Sequence, residues 1–100
     1  MRIYISGKIS GLSKDEYETH FREAEKKLET TGHSVINPAK VNGMLPDDTS
    51  YEEYMKMSMC MLSMCDAIYM LDNWRDSPGA KKELEAAMAN GMPVLHEERK

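Results

Sequence analysis

The sequence predicts a small α/β domain, a Rossmann-like or flavodoxin-like sandwich of about four parallel strands and three helices. Three observations carry this. Short apolar runs alternate with longer segments of helical period, in the order βαβαβαβ. The run Asp66–Leu71 (DAIYML) is apolar almost throughout, as a strand covered on both faces must be. Gly32 and Gly91 follow two of the helical segments, where a left-handed residue closes a helix. At 100 residues the chain is the size of one domain, 1–100, with a modest core.

Taken in order, Arg2–Ser6 (RIYIS) reads as the first strand, with Ile3 and Ile5 on one side and Tyr4 on the other. Gly7–Ser13 (GKISGLS) follows, and its two glycines permit a tight turn and close approach to a ligand, or form a plain connecting loop. It is neither a dinucleotide fingerprint nor a Walker loop. Ser13 with Glu16 forms a capping box for a helix over Lys14–Thr30. Tyr17, Phe21, Ala24 and Leu28 make the apolar stripe of that helix, while Glu18, Glu25 and Lys26 belong to its solvated face. His33–Asn37 is a second short strand closed by Pro38, so the first two strands are a parallel pair.

Residues 39–50 read as a long loop. Thr49 or Ser50 caps the next helix, and Glu52 and Glu53 favour its dipole. Its run Tyr54–Cys65 carries Tyr54, Met57, Met61 and Cys65 on one face and Met55, Met59 and Leu62 nearly opposite. A helix apolar on both sides is either a homo-oligomer interface or packed into the core. Asp66–Leu71 is the third, central strand. The stretch Asp76–Gly91 opens with small residues and becomes a helix, Pro93–Leu95 is a short fourth strand, and His96–Lys100 is a charged tail.

A net charge of −4 opposes binding to polymeric nucleic acid, which calls for a basic face. Small anions remain admissible, since a local nest of N–H groups can hold them. No run is long enough to span a membrane and no signal-like segment stands out, so a cytoplasmic protein is expected. Cys60 and Cys65 read as reduced, buried thiols or, less simply, as a redox pair. His20, His33 and His96 lack metal-ligand spacing, and neither a metal nor a cofactor is expected.

Open α/β sheets bind ligands outside the C-terminal ends of their strands. The Gly7–Gly11 loop, the loop after Asn37 and the run Asp72–Gly79 fall at that edge, whereas Asp66 begins its strand and is structural. Ser77 and Gly79 open a helix whose N-terminal N–H groups suit a phosphate or hydroxyl. Glu83, one turn further on, has two readings: a solvated helix carboxylate, or a nucleophile facing a ligand held by the preceding loop.

Four segments match a known pattern in order and spacing: YISGKISG (Tyr4–Gly11), TGHSVINP (Thr31–Pro38), CDAIYML (Cys65–Leu71) and WRDSPGAKKE (Trp74–Glu83). On these the chain resembles the nucleoside 2-deoxyribosyltransferase superfamily. It is most similar to a short, uncharacterised, DUF4406-like branch often found in phage and prophage, related to deoxynucleoside 5′-monophosphate N-hydrolases.

The resemblance implies that Glu83, six residues after Ser77, is the nucleophile at the anomeric carbon of a deoxyribosyl group. It places Tyr4 near sugar and nucleophile, although an ordinary strand aromatic reads as well. Ser77, where the transferases carry an acid, leans toward nucleotides over nucleosides, because a hydroxyl accepts a phosphate that a carboxylate repels. Gly7, Lys8, Ile9, Ser10, Gly11, Asn37 and Gly79 would hold sugar and phosphate. Trp74 would stack on a base or pack over the sheet edge.

Two departures weigh against turnover. The superfamily's mid-helix Asp is Ser58 here, and the hydrolases' first-loop Arg is Ser10, with Lys8 nearby supplying a point charge instead. Asp72 is the candidate to take over the acid role. The expected function is N-glycosidic cleavage or transfer on a small nucleoside or nucleotide. The alternative is a nucleotide-binding or sequestering protein that has lost turnover. A homodimer or larger homo-oligomer through the Met-rich helix is expected in either case.

Overall fold

The computed structural model describes residues 1–98. Four parallel strands form one sheet in the order β2-β1-β3-β4: β1 (Arg2–Ser6), β2 (Ser34–Ile36), β3 (Ala67–Met70) and β4 (Val94–His96). Strand order reverses between β1 and β3, the position at which a cleft opens above the C-terminal strand ends. Arg99 and Lys100, part of the expected charged tail, lie outside the described residues, and His96 belongs to β4 instead.

Two-residue alternation along β1 divides the core. Ile3 and Ile5 face α1 (Lys14–Thr30) and meet Phe21, Ala24 and Leu28, together with Ala39, Ala67, Tyr69 and Leu71. Tyr4 points to the opposite face, among Leu62, Cys65, Ile68, Met70, Ala80 and Ala87. α3 (Tyr51–Ser63) and α4 (Pro78–Ala89) supply that second layer. Helices therefore cover both faces, and β1 and β3 are buried throughout apart from the first residue of β1.

Capping chemistry sets the helix limits as the sequence implied. Ser13 with Glu16 and Ser50 with Glu53 form complete capping boxes, and Gly32 takes φ 89° just beyond the end of α1. Three readings are corrected. The long loop contains a fourth helix, α2 (Pro38–Asn42): Asn37 caps it through the Ala39 N–H, and Pro38 starts it rather than merely closing β2. Glu25 is half-buried rather than solvated, accepting hydrogen bonds at 3.0 Å from Asn37 and Lys40. Burial acts to raise its pKa, but these two donors outweigh that and hold it below the ordinary value.

The Met-rich helix is less buried than its composition implied. α3 buries Ser58, Met61 and Leu62, while Tyr51 and Met57 are exposed. Cys60 is exposed as well, so only Cys65 fits the expectation of buried thiols; both are free.

Gly7 is required by packing. A Cβ there would lie 2.5 Å from Leu71 Cδ1 and 2.8 Å from Leu71 Cβ, at the crossing of the β1 and β3 exits. Gly7→Ala is expected to destabilise the fold by about 1–3 kcal/mol, the usual cost of overpacking. A lowered urea midpoint at unchanged slope is the expected result; an unchanged midpoint would contradict the packing role.

Candidate active site

The cleft at the strand-order reversal is a cavity of about 340 Å³. The loop after β1 (Gly7, Lys8, Ile9, Ser10) forms one wall. Tyr51, Tyr54, Met55 and Ser58 of α3 form another, and the entry to α4 from Asp76 to Ala80 a third, with Glu83 on the floor. Tyr17 and Asn42 complete the lining.

Glu83 reaches this floor because α4 packs on the sheet through Ala80 and Ala87, and Glu83 shares that inward face. It is only 6 % exposed. Tyr4 Oη donates to Glu83 Oε2 at 2.6 Å and Ser6 Oγ donates to Oε1 at 2.7 Å, so each carboxylate oxygen holds one donor and keeps a lone pair. Burial raises the Glu83 pKa, and hydrogen bonds from Tyr4, Ser6 and Ser58 oppose the rise. Tyr4 is pushed well above the ordinary phenol value, first by burial and then by the Glu83 charge and hydrogen bond. The phenol thus stays protonated and keeps donating.

At the entry to α4, Ser77 Oγ accepts the Ala80 N–H at 3.1 Å and the Ser77 carbonyl accepts that of Lys81. Pro78 has no N–H to offer. The Gly79 N–H is therefore the donor of the first turn left without a partner among the described residues, and the anion seat is narrower than the sequence implied. A Cβ at Gly79 would meet Met55 Sδ at 3.4 Å and the Tyr51 hydroxyl oxygen at 3.6 Å, ordinary contact, so helix packing alone does not demand this glycine.

Of the residues singled out in the sequence, Gly7, Lys8, Ile9, Ser10, Ser77, Gly79 and Glu83 line the cavity, and Tyr4 lies beneath it on Glu83. Gly11 does not line it; it takes φ 86° in the turn that leads to α1. Asn37 is spent on capping α2 and on Glu25. Asp72 and Trp74 line a separate depression with Arg75, His96 and Glu97. The chain leaves β3 on the far side of Leu71, which turns Asp72 toward α1, and Trp74 packs on the α3–α4 core with Arg75 over its ring at 4.8 Å. Neither the proton-donor role for Asp72 nor base stacking by Trp74 fits the Glu83 cavity.

Sequence reasoning missed Ser6 and misjudged Ser58. Two-residue alternation from Tyr4 was the available signal for Ser6. Ser58 is 5 % exposed, and its hydroxyl joins the network of Tyr4 and Glu83, where an Asp would set a second negative charge against the carboxylate. The histidines also concealed a grouping: His20 Nε2 lies 2.8 Å from Glu97 Oε1 and 3.7 Å from Asp72 Oδ1. The ligand atoms of the three lie within 4.8 Å of one another, outside the Glu83 cavity. No helix among the described residues is long and apolar enough to cross a membrane.

Because its pKa is raised, Glu83 binds its proton more tightly in the folded chain than in the unfolded one. Its contribution therefore favours folding in acid and is lost as pH climbs from the ordinary carboxylate value through the raised one. Glu83→Gln should melt higher than the parent at neutral pH, with the difference closing toward about pH 4. Parallel thermal melts across pH check this, and a difference independent of pH would count against a raised Glu83.

The chain belongs to the DUF4406 family, a domain of unknown function, whose model matches residues 1–96. No curated protein matches it. Among solved structures it is similar to the 2-deoxyribosyltransferase of the psychrotolerant bacterium Bacillus psychrosaccharolyticus, at 24 % identity and a TM-score of 0.75. The similarity covers 100 % of this chain and 77 % of that one. The protein has a nucleoside 2-deoxyribosyltransferase-like fold.

Proposed function

We propose that the protein acts on a small nucleoside or its 5′-monophosphate at the N-glycosidic bond, by cleavage or deoxyribosyl transfer, with Glu83 as nucleophile. One observation carries the reading: a carboxylate buried on the floor of an open cavity, with a hydroxyl donor fixed on each oxygen. The similarity in fold to a 2-deoxyribosyltransferase points the same way.

An N-glycosidic bond breaks through an oxocarbenium-like state that a nearby anion stabilises and can trap. Tyr4 and Ser6 hold the carboxylate against rotation, so the cost of ordering it is met by the fold rather than at each turnover. A cavity of about 340 Å³ is of a size to hold a mononucleotide, and the net charge of −4 disfavours a polymeric nucleic acid. At its entrance the Ser77 hydroxyl, the Gly79 N–H and Lys8 offer donors to a phosphate.

One feature favours a second reading, binding without turnover. Ser58 gives the cavity a hydroxyl where the resembled superfamily carries an acid, and the hydroxyl donors that hold Glu83 lower its nucleophilicity. Chromatography of free base after incubation with mixed deoxynucleoside and ribonucleoside monophosphates separates the two. Release that falls on the order of 10³-fold or more in Glu83→Gln supports the enzyme. Tight binding with no release supports the sequestering protein, and the absence of both release and binding refutes both readings. Ser77→Asp should weaken nucleotide binding while sparing nucleosides; equal loss on both would contradict the phosphate role of Ser77.

For assembly, we infer a homodimer or larger homo-oligomer through the outer face and C-terminal end of α3, where Met57 is 39 % and Met64 51 % exposed and Cys60 is exposed as well. Met59 packs on the core, so Met57→Glu is the cleaner test. It should shift a sizing profile toward monomer, and a monomeric parent would refute the interface.

A further inference from the structure

The two-step reaction needs a second group that gives a proton to the departing base and later takes one from the incoming nucleophile. Glu83 cannot serve both roles, and Asp72, which the sequence offered, lies in another depression. Ser58 removes the acid expected on α3, and the position six residues before Glu83 is Ser77. Among the described residues lining the cavity, one further carboxylate remains, Asp76.

Its placement suits the task. Asp76 ends a single 3-10 turn, Trp74–Asp76, with its N–H donating to the Asn73 carbonyl at 3.1 Å, and the next residue caps α4. The backbone on both sides is therefore held. The side chain is exposed at the cavity mouth and makes no hydrogen bond or ion pair among the described residues. A floor carboxylate engaged by hydroxyls and a mouth carboxylate that is free divide the work as nucleophile and proton carrier. Lys8, the cation in the lining, carries no acceptor and is suited to phosphate instead.

We propose that Asp76 is the acid–base residue of the Glu83 cavity; this rests on the glycosidic reading above. In the first half, a Glu83 oxygen bonds to C1′ as the C1′–N bond breaks, and the electron pair goes to the base nitrogen, which takes the Asp76 proton. In the second, water or an acceptor attacks C1′, its proton passes to the Asp76 carboxylate, and the ester electron pair returns to Glu83. Both groups end as they began. Departure of an uncharged base requires that proton, whereas an N7-methylated purine leaves without it, being already cationic.

The test is single-turnover release of base, enzyme in excess, from a deoxypurine monophosphate and from its N7-methylated form. Asp76→Asn should lose about 10²–10⁴-fold on the unmethylated nucleotide and little on the methylated one. Glu83→Gln should lose both. As Asp76 is exposed, its replacement leaves the core intact. Equal loss on both substrates in Asp76→Asn, or no loss on either, overturns the assignment while leaving Glu83 as nucleophile. A parent that releases neither base overturns the assignment and the glycosidic reading together.

Discussion

The two short hydrogen bonds that Tyr4 and Ser6 make to Glu83 tie the cavity floor to the middle of the sheet. A buried carboxylate is tolerated only when its oxygens are hydrogen-bonded, and here the donors come from the innermost part of the molecule. Tyr4 and Ser6 are 0 % and 1 % exposed, so neither can turn away to water. Loss of either donor would leave an anion in an apolar layer, which ties the integrity of the fold to the geometry of the site.

That arrangement depends on the order of the strands. β1 lies between β2 and β3, with α1 on one face and α3 and α4 on the other. Its alternation therefore sends isoleucines to α1 and hydroxyl-bearing residues to α4. The reversal of strand order parts the β1 and β3 exits, and the Gly7 and Asp76–Gly79 segments border the opening. Close contact between Gly7 and Leu71 brings the two exits together below that opening. The loops that line the cavity are held by packing at their roots, as loops on rigid scaffolds generally are.

Much of the fold was legible because its signals are local. The Lys14–Thr30 helix follows from a capping box, a 3.6-residue stripe and a following glycine, each readable within a few residues. The α2 helix was not legible, since five residues carry no periodicity and Asn-Pro reads equally as a turn. Glu25 was misread for a different reason: its partners Asn37 and Lys40 are distant in sequence and invisible to a helical wheel. In the Met-rich helix, hydropathy said that both faces were apolar, and only packing decided which of them meets the core.

By itself the sequence determined the class of sheet, the helix limits at Ser13 and Ser50, and the register that sets Glu83 six residues behind Ser77 at the C-terminal edge. These rest on near-neighbour stereochemistry and hydrophobic period, which a linear pattern records. Tertiary structure alone decided that Ser6 and Ser58 join Tyr4 on Glu83, that Asp72 and Trp74 leave for another depression, and that Asp76 stays. The reason is directional. A strand exit turns by a few residues, and whether a side chain enters the cavity or leaves it depends on what packs beneath that turn, here Leu71.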